Sequence, residues 1–77
     1  MIRTVFKFVG KPFSGKSFLS GMPFRLVVGD LVDLEWIIND KELNSYMEDE
    51  GCIFLVESCL IKSDMNGNLD LEVHLVK

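Results

Sequence analysis

The sequence predicts a mainly β domain: a small barrel of five antiparallel strands with one short helix near residues 40–49. Three observations carry this. The first and last segments alternate apolar and polar residues with period two, which is the pattern of a half-buried strand. The chain holds no Ala and no Gln but many Val, Ile and Phe residues, a composition that favours strands over helices. Only one window, Asn39 to Glu50, repeats its apolar residues at helical spacing. At 77 residues the chain is one domain, 1–77, and its 48% apolar content is that of a globular protein.

Each element follows in order. From Ile2 to Val9, the residues Ile2, Thr4, Phe6 and Phe8 share one face, and Arg3, Val5 and Lys7 the other. Gly10 to Gly15 reads as a loop around Pro12. Ser17 to Ser20 begins a second strand, bent at Gly21 and Pro23 and resuming from Phe24 to Val28. A three-residue turn, Gly29-Asp30-Leu31, then pairs Val28 with Val32, Leu26 with Leu34 and Phe24 with Trp36. All six are apolar, and Asp33 and Glu35 turn to solvent. A one-residue slip would put apolar residues opposite acids.

The helix is expected to be capped by Asn39, with Glu42 three residues on. Leu43, Tyr46 and Met47 make its apolar face, and Gly51 stops it. Acidic Glu48, Asp49 and Glu50 oppose the dipole at its end, so about two turns with a frayed terminus are expected. Cys52 to Lys62 forms a long strand, and Asn66-Gly67 is a strong hairpin signal. Folding back on that turn sets Leu60 opposite Val73 and Ser58 opposite Leu75 along a final strand, Leu69 to Val76. Phe54, Val56, Leu71 and Leu75 are then buried, with Glu57, Glu72 and His74 outside.

A five-stranded sheet this small has one apolar side and two open edges, and curling it covers both. The order β-β-β-α-β-β resembles the OB-fold, which places a helix between its third and fourth strands. An SH3-like barrel also has five strands and accepts insertions of this kind.

Charge divides the chain. Residues 1–25 hold Arg3, Lys7, Lys11, Lys16 and Arg25 and no acid, whereas residues 26–77 hold three bases and twelve acids. The net charge of −4 disfavours bulk nucleic-acid binding. Basic strands lying beside acidic ones would account for the asymmetry. Lys7 interrupts what would have to be the apolar region of a secretory signal, and the longest apolar run is five residues. No membrane association is expected, and a cytoplasmic protein is. Cys52 and Cys59, seven residues apart in one strand, would stand about 23 Å apart, too far for a bridge.

Gly10-Lys-Pro-Phe-Ser-Gly15-Lys16-Ser17 spells the P-loop pattern. That pattern binds phosphates only where a helix begins at the Lys, and Gly21 and Pro23 follow too soon for one. Asp64-x-Asn66-x-Asn68-x-Asp70 spaces oxygens as a calcium loop does, but Leu69 and Leu75 stand where such a loop needs Gly and Glu. His74 is the single histidine, with Cys59 its only nearby nucleophile. No catalytic residue, metal site or cofactor is expected.

The expected function is therefore that of a non-enzymatic protein-interaction or accessory module, binding another protein or associating with itself as a homodimer. The alternative is a single-stranded nucleic-acid-binding barrel. Its anion site would use Lys7, Lys11, Lys16 and Arg25, with Phe13 and Phe18 as stacking platforms.

Overall fold

A computed structural model describes residues 1–10, 14–35 and 40–77. The strands are β1 (Ile2–Phe8), β2 (Ser17–Met22), β3 (Leu31–Asp33), β4 (Ile53–Ser63) and β5 (Leu69–Val76), with helix α1 (Lys41–Glu50) between β3 and β4. They form one sheet in the order β2-β1-β5-β4-β3, curled into a half-barrel. The sheet is mixed: β1 runs parallel to β5, and the other pairs are antiparallel. This corrects the all-antiparallel expectation. Period-two alternation reads the same in either strand direction, and some sixty residues of chain between the two strands leave both directions open.

The first strand is built as its alternation requires. Thr4, Phe6 and Phe8 are buried, while Arg3 and Lys7 face outward. Phe8 meets Phe18 and Phe54 edge to face, with ring centroids 5.9 and 5.3 Å away. Phe54, Val56, Val73 and Leu75 complete the concave side.

The segment from Phe24 to Val28 is not a strand, and β3 pairs with β4 instead of with it. The predicted pairings of Val28 with Val32 and Leu26 with Leu34 are therefore wrong; Trp36 lies outside the described residues. The cause is Asp30. Its carboxylate accepts from Val27 N at 2.9 Å, and its own N–H donates to the Val27 carbonyl at 3.1 Å. The resulting turn docks on β4, where Gly29 N donates to the Val56 carbonyl at 3.0 Å and Val56 N to the Asp30 carbonyl at 2.9 Å. Leu26, Val32 and Leu34 are buried nonetheless.

Helix α1 is capped by Asp40, whose Oδ1 accepts from Leu43 N at 2.9 Å. The predicted cap, Asn39, lies outside the described residues. The helix spans ten residues to Glu50, further than the two turns expected. Gly51, at φ 88°, closes it by donating to the Met47 carbonyl. Leu43 and Met47 are buried and Tyr46 packs partly against them, so tertiary contacts outweigh the unfavourable C-terminal acids.

The β4–β5 register also departs from expectation by one residue. Leu60 stands opposite Glu72, Cys59 opposite Val73 and Ser58 opposite His74. Two features produce the shift. Asp64 N donates to the Asn68 carbonyl, so the turn holds three residues, Met65-Asn66-Gly67, rather than two. A bulge between Val56 and Ser58 then restores Phe54 and Val56 to the buried face.

Candidate interaction surface

Inward-facing residues of the sheet form the core, and α1 packs on that side. The convex face carries the rest. Across it, register places Leu19 beside Val5, Val5 beside Glu72, and Glu72 beside Leu60. The neighbouring row is Ser17, Lys7, His74 and Ser58.

Glu72 is the centre of this face. It is outside, as its alternation demands, yet only 5% exposed, which corrects its expected place in solvent. Lys7 Nζ lies 2.9 Å from its Oε1, and Lys62 Nζ lies 3.4 Å from its Oε2. His74 Nε2 donates to Oε1 at 3.0 Å, since an ionised carboxylate can only accept. The Lys7 ammonium, with His74 and Lys62 behind it, holds the Glu72 carboxyl down at about 2 against the opposing effect of burial. Arg3 Nε and Asp70 Oδ1 form a further pair on the same face at 3.2 Å.

The four described residues of the predicted anion site, Lys7, Lys16, Phe18 and Arg25, are not drawn into one patch. Lys7 is held by Glu72. Lys16 Nζ lies 3.1 Å from Glu42 and 3.3 Å from Asp40, contacts that raise its pKa, Glu42 foremost. Phe18 turns towards the core and meets Phe8. Arg25 is exposed beside Ile2, and Lys7 lies five residues further along that strand, about 16 Å away. Lys11 and Phe13 lie outside the described residues. The P-loop pattern meets a strand where a helix would be needed, because Ser17 opens β2.

The other polar clusters are likewise engaged. Asp64 Oδ1 accepts from Asn66 N and Asn68 N, both at 2.9 Å, which folds the calcium-like spacing into a turn. Cys59 and His74 fall on opposite faces of the sheet, and the Cys59 thiol lies 3.5 Å from the Leu26 carbonyl. Both cysteines are free thiols. Asp33, Glu35 and Cys52 bring three ligand-type atoms within 4.8 Å of one another. Here Asp33 pushes the Cys52 thiol up, so the sulfur keeps its proton, and a metal would have to displace it.

What the sequence reading missed is the apolar character of the convex face. Among the described residues, Leu19, Leu31, Ile53, Leu55 and Leu60 all face outward there, each between 39% and 71% exposed. At the open end of the sheet a shallow cavity of about 190 Å³ is lined by Ile2, Arg25, Ile61 and Leu69 to Leu71. No described helix is long and apolar enough to cross a membrane. Fold and surface together define a small mixed half-barrel whose convex side is apolar around a self-neutralised charge cluster. No family model, curated protein or solved structure matches the chain.

Proposed function

We propose that this protein is a non-enzymatic interaction module that uses its sheet to bind polypeptide. One observation supports the reading above others: the five outward apolar side chains of the convex face. Exposed apolar side chains that share one face and are rimmed by polar groups mark interaction sites. The charges at its centre are already paired, as at Glu72 and Asp70, so a partner can cover that part of the face without stranding a lone charge.

The test is a comparison of wild-type and Leu55→Lys/Leu60→Lys baits in quantitative capture from native extract, with each bait's fold verified first. The proposal expects specific polypeptides other than the chain itself to be depleted with the variant. Equal recovery on both baits would remove the convex face from the function.

A further inference from the structure

Among the described residues, the edges of this sheet are guarded unequally. At one end, β3 is three residues long, ends in Asp33 and is flanked by Asp30 and Glu35. The part of β4 that runs beyond β3 carries Glu57 and Lys62. At the other end, β2 runs six residues, Ser17–Met22, with no charge and no proline among them, Lys16 and Pro23 standing just outside. Its register with β1 is unbroken from Ile2 opposite Met22 to Lys7 opposite Ser17, so no bulge turns it away. Shortness, charge, proline and bulges are the devices by which edge strands avoid pairing. Within the strand itself β3 has two of them, shortness and the charge of Asp33, and β2 none.

We infer that β2 is a pairing edge, and that its partner is β2 of a second copy, joining two five-stranded sheets into one of ten. The premise that the sheet binds polypeptide is the reading proposed above. Three observations select a second copy. An uncharged strand meets itself with no like charges opposed. The charges on β1 next to it are neutralised within the chain, Arg3 by Asp70 and Lys7 by Glu72, so the two β1 strands do not repel. The apolar outward residue of β2, Leu19, is 59% exposed beside Val5. Antiparallel pairing about a two-fold axis normal to the sheet keeps outward residues outward. The axis then passes by Leu19 or by Ser20. In the first case Leu19 meets its own symmetry mate, and in the second it covers Gly21.

The experiment is sedimentation equilibrium across roughly 1–100 µM protein, paired with hydrogen exchange at both ends of that range. Leu19→Lys places a guarding charge on an exposed position, and Met65→Lys, in the exposed turn between β4 and β5, is the control. The inference expects a dimer whose Kd rises at least about tenfold with Leu19→Lys and is unchanged with Met65→Lys. It also expects amides within Ser17–Met22 to gain protection as concentration rises. A monomer over the whole range overturns it, as does a dimer indifferent to Leu19→Lys with no added protection in β2. If the monomer still shows Leu55- and Leu60-dependent capture, only the edge inference falls. If capture is also absent, the interaction reading falls with it.

Discussion

Lys7 Nζ and Glu72 Oε1 stand 2.9 Å apart and join β1 to β5 across the one parallel pair of the sheet. Parallel strands so far apart in sequence receive no help from a turn, so side-chain contacts between them matter for the register. Val5 lies directly opposite Glu72, and a slip of one residue would bury Arg3 and Lys7. The ion pair and the apolar alternation of β1 thus specify the same register.

Replacing Glu72 by Gln keeps the shape and removes the charge. A loss of about 1–2 kcal/mol at neutral pH is expected, because the lysines it leaves can still reach water. The pH dependence has a definite sign. The folded-state pKa is depressed from 4.5 to about 2, so this stabilisation is full above about 4.5 and disappears as pH falls through about 2. Urea denaturation of both forms should show their difference shrinking across that window. A difference that stays constant with pH would mean that the ionised carboxylate is not its source.

Leu43 anchors α1 from a position with no exposure at all, one turn from the cap at Asp40. Leu43→Ala should cost about 3 kcal/mol, the lost burial plus the cavity left behind. In a domain of this size the effect is a large share of the total stability. Chemical denaturation of the variant measures it, and a loss under about 1 kcal/mol would show that the helix is only loosely seated.

Much of this fold was legible from residue spacing, and the failures have local causes. The alternation of Ile2 to Phe8 and of Leu69 to Val76 found the neighbouring strands β1 and β5, because each has one face in the core and one outside. The apolar spacing of Leu43, Tyr46 and Met47 found the helix. Phe24 to Val28 is as apolar as a strand, but Asp30 captures the Val27 amide and turns the segment onto β4. Nothing in the run Glu57-Ser58-Cys59-Leu60 marks the bulge that reverses its faces, since neither alternative buries a charge. Glu72 was placed on the correct face but judged by residue type, and its burial depends on cations from β1 and β4 that only the strand order brings near. The exposed apolar set was hidden for the same reason: Leu19, Leu31 and Leu60 come from three different strands.

The hairpin register offers a third test. Gly67 lies at φ 81° with open space where a side chain would go, so a Cβ there meets backbone strain and no neighbour. Gly67→Ala should cost about 1 kcal/mol, and Gly67→Asn less, because Asn tolerates the left-handed region better. Equal stability of all three in urea titration would contradict a positive φ at this turn.

The thiol of Cys52 gives a fourth. Its pKa is raised chiefly by Asp33, with burial adding to the effect. Asp33→Asn removes the negative charge and offers an N–H that can donate to a thiolate, so the thiolate fraction at a given pH should increase. Alkylation of Cys52, followed by peptide mass spectrometry at mildly alkaline pH, should therefore accelerate. Cys59, whose thiol is raised mainly by burial, should react at an unchanged rate. Acceleration at both cysteines would point to loosening of the fold instead.

The last prediction concerns phosphate-bearing partners. A polyanion gains affinity by displacing small ions from lysines and arginines, and that gain makes binding fall steeply with salt. In this protein Lys7 and Lys16 are already within 3.3 Å of carboxylates, and Phe18 is turned towards the core. An oligonucleotide would have to separate those pairs before using them, and a net charge of −4 repels it meanwhile. Fluorescence anisotropy of a labelled single strand at about 50 and 200 mM salt should show no saturable binding. Saturable, salt-steep binding lost with Lys16→Ala would establish that the carboxylate contacts of Lys16 yield to phosphate. The loop from Gly10 to Ser17 would then be a ligand site, and the basic first third would function as an anion-binding surface.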